Sequence, residues 1–190
     1  RSIVPIEDIS RHIKNATIAI EDDEFYNHKG VRPVSFLRAV LVNITSLNFS
    51  QGGSTITQQV VKNSLLTGDK SLFGGPARKL KEIVLALKLE KMINKEEILS
   101  MYLNEIPYGG NLYGVEEASM AFFGKSSKEV GLTEAAYLAA LPKAPTFYSP
   151  YGKNPDRLEE RKDLVLALML KNNFINEEEY GAAKAEKITF

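Results

Sequence analysis

Apolar residues recur every three or four positions along almost the whole chain, and this spacing is the feature that most limits the fold. Near the N-terminus the pattern runs through Ile6, Ile9, Ile13, Ala16 and Ile20. Such spacing puts apolar side chains on one face of an α-helix, whereas a half-buried strand alternates apolar and polar residues. No alternating strand of convincing length and no internal repeat occur in the sequence. The pattern therefore predicts an all-α, mainly helical domain with at most a minor hairpin.

Composition limits the size of this domain and the chemistry open to it. With 190 residues and 44% apolar side chains, the chain can bury a substantial core, and we expect one domain over residues 1–190, with room for two lobes. The absence of cysteine excludes disulfides and thiolate chemistry. Basic and acidic side chains both number 24, so net charge does not attract nucleic acid, and no nucleic-acid partner is expected. No apolar run is long enough to span a membrane, and we expect any anchoring segment to have been cut away or never to have been present.

The first candidate for chemistry is residues 21–30, which hold four carboxylates and one imidazole. The helical spacing ahead of them places Glu21 at the C-terminal end of a packed helix, where the helix dipole disfavours another anion. Repulsion among the acids is expected to raise the pKa of whichever carboxyl is most buried, as a general base requires. A solvated acidic turn is the simpler explanation of these residues taken alone.

The second candidate is the helix that opens after Gly53. Ser54 or Thr55 can cap it, and its first amides, with Lys62 two turns on, would suit a phosphate. A well capped helix with a polar face is the structural alternative. A further helix is predicted over 78–93, with apolar residues facing a core at Leu80, Ile83, Val84 and Leu87. Its charged residues Arg78, Lys79 and Glu82 are also typical of surface ion pairs.

Other residues mark helix ends and two unusual segments. The caps and stops are predicted at Asn94 with Glu97, Gly124, Thr133, and Asn176 with Glu179. The helix predicted over 33–49 is apolar around more than one face, which suits either a core helix or a helix that enters a membrane surface. Residues 67–76 are rich in Gly and polar side chains around Leu72 and Phe73, and they predict a covering flap.

The candidate cofactors are few. His12 and His28 have no second nitrogen or thiolate ligand nearby, which argues against zinc. No cofactor is required by these motifs, although oxygens near Glu21 or Glu82, together with a bound diphosphate, leave open stimulation by a divalent cation such as Mg²⁺ or Mn²⁺. The chain also lacks the Gly-x-Ser-x-Gly and Ser-x-x-Lys motifs of serine enzymes.

Five groups of residues stand in a definite order along the chain. They are Glu21-Asp22 with Phe25, His28 and Gly30; Gly53-Ser54-Thr55-Ile56-Thr57-Gln58-Gln59; Arg78-Lys79 with Glu82; Lys95 with Ile98, Leu99, Tyr102 and Asn104; and Arg161 with Val165 and Leu166. In this order they resemble the five motifs of the peptidoglycan glycosyltransferases, family 51 of the glycosyltransferases, over about residues 5 to 170. Lys62, Asn63 and Lys143 also match positions that line the family's cleft.

The resemblance implies a lysozyme-like, two-lobed helical fold with a small membrane-proximal lobe at about residues 33–76. It implies processive, inverting polymerisation, in which the 4-hydroxyl of lipid II attacks a glycan chain linked through diphosphate to a polyprenyl lipid. The setting it implies is the outer face of the bacterial cytoplasmic membrane, touched by helix 33–49, with the transmembrane anchor absent from this sequence. Moenomycin-type inhibitors and other cell-wall synthesis proteins are the further partners implied, and no transpeptidase domain is expected in this chain.

The same resemblance assigns roles to particular residues. Glu21 is expected to be the general base, and Glu82 to organise cations or a metal. Contacts with substrate or its diphosphate are expected from Asp22, Phe25, His28, Ser54, Thr55, Gln58, Gln59, Lys62, Asn63, Arg78, Lys79 and Lys143. Asn104 and Arg161 are expected to tie helices together at the cleft.

Two functions of other classes fit part of the sequence. A lysozyme-like glycan hydrolase or lytic enzyme also uses a glutamate beside other acids, but it has no need of cations for a diphosphate. A non-catalytic module that binds lipid-linked glycan would keep the binding residues without needing a base.

Overall fold

A computed structural model of the chain describes residues 2–32, 53–66 and 76–190, except for the side chains of residues 76 and 77. The chain divides into two compact units, the first formed by Arg1–Asp23 with Leu103–Phe190 and the second by Glu24–Tyr102. The helix predicted over 33–49, most of the proposed lobe at 33–76, and the predicted flap apart from residue 76 lie outside the described residues.

Helices account for most of the described chain. In chain order they are α1 (Arg11–Glu21), α2 (Ile56–Val60), α3 (Pro76–Met92), α4 (Lys95–Glu105), α5 (Val115–Phe123), α6 (Leu132–Ala140), α7 (Pro155–Lys171) and α8 (Glu177–Ala185). A π-helical turn, Val61–Leu65, continues α2, and short 3-10 turns lie at Ile6–Asp8 and Leu141–Lys143. Strands β1 (Pro107–Gly109) and β2 (Leu112–Tyr113) form one antiparallel hairpin. The all-α prediction with a minor hairpin is therefore confirmed.

The first unit is built around α1, α6 and α7, which pack against one another in pairs. Helix α6 is rich in alanine, and its small side chains let the neighbouring helices approach closely. Ile13 and Ala16 of α1 and Val165 and Leu166 of α7 are fully or almost fully buried at this core. Removing such apolar side chains from water stabilises the unit by about 25 cal/mol for each Å² buried.

The second unit has a core in which α3 meets the π-helical turn. Val61, Leu66 and Ala86 are buried there, with Leu85 and Leu89 packed against them. The chain at Gly30 comes close to α3, because a Cβ atom on this residue would lie 2.9 Å from the carbonyl oxygen of Ala86. Gly30 has φ +87°, a conformation that glycine adopts without the steric cost of a side chain.

Two sequence predictions about the helices are wrong, one about a cap and one about a buried face. Thr133 does not cap α6, since Gly131 precedes the helix and its amide donates to the Glu134 carboxylate at 2.9 Å. Thr133 lies in the first turn and donates to the carbonyl of Ala183 at 3.3 Å, so a contact with α8 engages its hydroxyl. By contrast, the capping boxes of Asn94 with Glu97 and of Asn176 with Glu179, and the helix stop at Gly124, are confirmed.

The expected core-facing side of α3 is the second error. Leu80, Val84 and Leu87 are exposed by 62%, 43% and 38%. Instead, the side that carries Glu82 and Ala86 is buried. The small Ala86 permits the close approach of Gly30. This tertiary contact buries the side of α3 that carries Ala86, which the pattern of apolar residues did not predict.

Two glycines with positive φ bracket α5 and provide a matched test of packing. Gly114 has φ +86° and Gly124 has φ +66°. A Cβ atom on Gly114 would lie 2.6 Å from the carbonyl oxygen of Asn104, whereas one on Gly124 would meet no atom within 4 Å.

We expect Gly114→Ala to lower the free energy of unfolding by about 3 kcal/mol, because backbone strain of about 1–2 kcal/mol is joined by a steric overlap. Gly124→Ala should cost only the strain, about 1 kcal/mol. Urea unfolding followed by circular dichroism measures both losses. Equal losses for the two variants would show that the backbone at Asn104 yields freely.

Candidate active site

Glu21 is the last residue of α1 and keeps part of its side chain in solvent. Ser10 caps the start of this helix by accepting from the amide of His12 at 3.3 Å. At the other end the amide of Asp22 donates to the carbonyl of Ile18 at 3.0 Å, and Asp22 is only 1% exposed. Helix packing thus buries Asp22 and leaves Glu21 accessible, so the most buried acid of this stretch is the neighbour of the expected base.

Tyr108 in β1 is a buried neighbour of Glu21 that the sequence did not single out. Burial raises the pKa of its phenol, and the nearby Glu21 carboxylate raises that pKa further, so the hydroxyl stays protonated. The hairpin packs against the 3-10 turn that carries the exposed Lys143. The clue in the sequence was an aromatic residue between Pro107 and Gly109, which is also the ordinary composition of a loop.

Asn104 and Arg161 each link separate segments of the first unit by hydrogen bonds. Asn104 exchanges two hydrogen bonds with Val4, accepting from its amide and donating to its carbonyl, each at 3.0 Å. Arg161 Nε donates to the carbonyl of Ala140 at 2.9 Å, which links α7 to the end of α6. Its guanidinium lies 5.4 Å from the centre of the Tyr148 ring. Arg161 also lines a shallow groove with Phe147, Tyr148, Arg157, Glu160 and Leu164.

In the second unit a cation stands at the opening of α2. Lys79 Nζ donates to Ser54 Oγ at 2.8 Å and forms an ion pair with Glu82. The Glu82 side chain is only 7% exposed, while that of Lys79 is 33% exposed. A buried carboxylate is costly unless it is paired, so Glu82 holds the ammonium group of Lys79 in place while leaving part of it accessible to a ligand.

Thr55 and Gln58 form a buried capping box at the same helix end. The Thr55 hydroxyl accepts from the Gln58 amide at 3.1 Å, and the Gln58 side-chain oxygen accepts from the Thr55 amide at 2.9 Å. Thr55 Oγ1 also donates to the carbonyl of Gly30 at 2.6 Å. These bonds order the start of α2. The neighbouring polar side chains of Ser54 and Gln59 are half-buried.

The remaining predicted ligands of a diphosphate lie nearer the surface. Lys62 is exposed and Asn63 is half-buried, both within the π-helical turn, and Arg78 is exposed near the start of α3. Exposed cationic side chains therefore occur in both units, with Lys62 and Arg78 in the second and Lys143 in the first. Their contact with substrate stays a prediction.

Residues 24–30, here called the aromatic turn, begin at the last of the four acidic residues and belong to the second unit. Phe25 is fully buried, and its ring makes edge contacts with those of Tyr26 and His28. His28 Nδ1 accepts from the amide of Gly30 at 3.1 Å, and Arg32 pairs with Glu24 at 2.8 Å. The expected contact of His28 with substrate stays a prediction.

Among residues 2–32, 53–66 and 76–190, no cluster of three or more His, Cys, Asp or Glu side chains is arranged to hold a metal ion. In those ranges no helix combines the length and the apolar character of a bilayer span.

The chain is similar in sequence to a known family and to several penicillin-binding proteins. A family model described as Transglycosylase matches residues 1–170. Penicillin-binding protein 1A of Aquifex aeolicus is 44% identical over 189 residues, which cover 100% of this chain and 25% of that protein. Penicillin-binding protein 1A/1B of Bacillus subtilis is 44% identical over 185 residues, covering 97% of this chain and 20% of that protein.

A solved structure agrees with this relationship. The crystal structure of penicillin-binding protein 1A from Haemophilus influenzae matches 100% of this chain and 18% of that one, with a TM-score of 0.59 and 28% identity. The expected all-α, lysozyme-like fold class is thereby confirmed. The chain spans about a quarter or less of the length of these relatives.

The two hydrogen bonds of Asn104 allow its role to be tested. Asn104→Asp removes the donor to the Val4 carbonyl and places a carboxylate oxygen against it, so we expect the free energy of unfolding to fall by about 1–3 kcal/mol. Asn111→Asp, at an exposed position in the hairpin, should change it by less than about 0.5 kcal/mol. Unchanged stability in Asn104→Asp, measured by urea unfolding, would instead favour a role in contacting substrate.

Proposed function

Because the chain belongs to the transglycosylase family, the peptidoglycan glycosyltransferases, we propose that it polymerises glycan strands from lipid II. The observation that carries this proposal is the Lys79 ammonium group, held by Glu82 beside Ser54 at the opening of α2. A cation and a hydroxyl at a helix start suit a phosphate, which the leaving group of a lipid-linked donor contains. Cutting an uncharged glycosidic bond would not need them.

The reaction proposed is an inverting transfer. The 4-hydroxyl of the acceptor lipid II attacks the anomeric carbon of the donor chain, a new β-glycosidic bond forms, and the bond to the lipid diphosphate breaks. An alcohol has a pKa far above 7, so its proton must pass to a base during attack. Glu21 is proposed as that base, since it is accessible at the end of α1, whereas the nearby Tyr108 stays protonated.

Departure of the diphosphate requires its growing negative charge to be stabilised. Lys79 and Ser54 are proposed to contact it, and Lys62, Arg78 and Lys143 supply further accessible cations. Arginine can bind two oxygens at once, whereas lysine acts as a point charge. Glu82 is proposed to position Lys79 rather than to remove a proton, because its carboxylate is already paired.

The membrane-related steps of this proposal come from the family resemblance. The helix predicted over 33–49 is proposed to touch the outer face of the bacterial cytoplasmic membrane, where a lipid-borne substrate can enter without leaving the bilayer. The segment 67–76 is proposed to cover the growing strand and so to support processivity. Moenomycin-type inhibitors are proposed as further ligands of the chain. We propose that the transfer requires no metal, and a chelator experiment decides whether Mg²⁺ or Mn²⁺ stimulates it.

Replacing Glu21 tests the base directly. With lipid II in detergent, Glu21→Gln should lower the rate of polymerisation by about 10²–10⁴-fold, because the amide cannot accept the proton. Binding of lipid II should change little. Glu7→Gln, at an exposed position of the same unit, should leave both properties unchanged. Product length on gels and a separate binding assay measure the two effects, each with and without a chelator.

Each rival function gives a different result in this assay. Cleavage of preformed glycan without new polymer would identify a hydrolase. Binding of lipid II without turnover by the unaltered chain would identify a non-catalytic module. A rate that falls when a chelator is added, and recovers with Mg²⁺ or Mn²⁺, would establish a role for the cation.

Replacing Lys79 tests the leaving-group contact. Lys79→Met should lower kcat by about 10²-fold, because the diphosphate then leaves without the cation that Glu82 holds at the start of α2. Lys88→Met, at an exposed position on the same helix, is the matched control and should keep the full rate. Steady-state polymerisation at several lipid II concentrations separates kcat from KM. A normal kcat in Lys79→Met would remove Lys79 from the proposed mechanism.

A further inference from the structure

A buried ion pair joins three helices of the second unit. Lys95, the first residue of α4, places its Nζ 2.6 Å from the Oε1 atom of Glu90 on α3. Their side chains are only 19% and 8% exposed. Thr57 of α2 is fully buried, and its hydroxyl donates to the same Oε1 atom at 2.6 Å. A single carboxylate oxygen therefore links α2, α3 and α4.

The cation of this pair also faces the aromatic turn. Lys95 Nζ lies 4.4 Å from the centre of the Phe25 ring, and that ring is fully buried. An ammonium group over an aromatic face is attracted by the ring's electron density, most strongly where water is excluded. Tyr26 adds a second link to α4, since its hydroxyl donates to Glu96 at 2.6 Å.

Glu90 touches the other end of the same turn. A Cβ atom on Gly30 would lie 3.0 Å from Cγ of Glu90, so the backbone of Gly30 passes directly against this side chain. The carbonyl of Gly30 accepts from Thr55, which caps α2 next to Ser54. Lys95 therefore limits the position of Phe25 near the beginning of the aromatic turn, and Glu90 limits that of Gly30 at its end. Gly30 in turn is bonded to the start of α2.

We propose that Lys95 and Glu90 are positioning residues for the proposed glycosyl transfer, holding the aromatic turn and the start of α2 in one arrangement without contacting substrate. This inference rests on the proposed function for its kinetic consequences. A buried ion pair is seldom more stabilising than apolar residues of the same size, but its hydrogen bonds are directional. Such directional bonds can hold the turn that carries Phe25 and His28 in one orientation.

The kinetic test uses the full chain with lipid II. Lys95→Met should lower kcat by about 10–100-fold, with KM within about threefold, because a misplaced turn slows the reaction without removing a binding group. Lys95→Arg should recover kcat to within about fivefold, since a guanidinium can still pair with Glu90 and lie over Phe25. Lys88→Met, exposed on α3, should match the unaltered chain.

A double variant separates the effect of Lys95 on the position of the aromatic turn from its effect on the stability of the chain. Lys95→Met alone leaves Glu90 buried and unpaired by its cation, so its thermal midpoint should fall. Adding Glu90→Gln should restore most of that midpoint, while kcat stays low because no cation lies over Phe25. Recovery of kcat together with the midpoint would overturn the proposal, and so would a loss confined to KM.

A spectroscopic test does not depend on activity. The chain has two histidines, His12 in the first unit and His28 in the aromatic turn. In Lys95→Met, the ring signals of His28 in a ¹H–¹³C spectrum should shift or broaden, while those of His12 stay in place. Unchanged His28 signals would overturn the positioning role. Failure of the unaltered chain to polymerise lipid II would refute the proposed function alone, because this readout would still decide the inference.

Discussion

The pairing of buried charges is the constraint on which most of the second unit depends. Glu82 and Glu90 both lie on α3 with almost no exposed surface, and each is paired with a lysine, Lys79 or Lys95. Leaving either carboxylate unpaired would cost several kcal/mol. The partners reach different elements: Lys79 bonds Ser54 before α2, and Lys95 lies over Phe25 of the aromatic turn. Helix α3 thus arranges polar groups that belong to separate parts of the sequence.

The first unit solves a different physical problem, which is to present an acid at the end of a helix. Helices α6 and α7 pack against α1 and bury one of its faces, including Ile13 and Ala16, and this packing holds the helix in place. Asp22 turns inward and Glu21 stays accessible, while Tyr108 is buried nearby. The proposed chemistry requires this difference in exposure, since a base has to exchange its proton with substrate. A fully buried neighbour can act only through its contacts with the base and with the chain around it.

Local patterns predicted the elements of this fold better than their contacts. The spacing of apolar residues and the capping boxes at Asn94 and Asn176 depend on interactions within one or two turns, which a sequence displays directly. Thr133 and the apolar face of α3 were misjudged because their surroundings come from distant segments. The same reason hid Tyr108 and the Glu90–Lys95 pair. Nothing in the local sequence says that Tyr108 is buried near Glu21 or that Lys95 lies over Phe25.

The sequence by itself determined the helical class, the order of five motifs and, through them, the family to which the chain belongs. These follow from residue identity and spacing, which do not depend on how the chain closes on itself. Only the tertiary structure decided which carboxylates are buried, which cation each one holds, and which face of α3 packs inward. Those outcomes depend on long-range packing, because the burial of a charge or of a small residue such as Ala86 is a property of its neighbours in space.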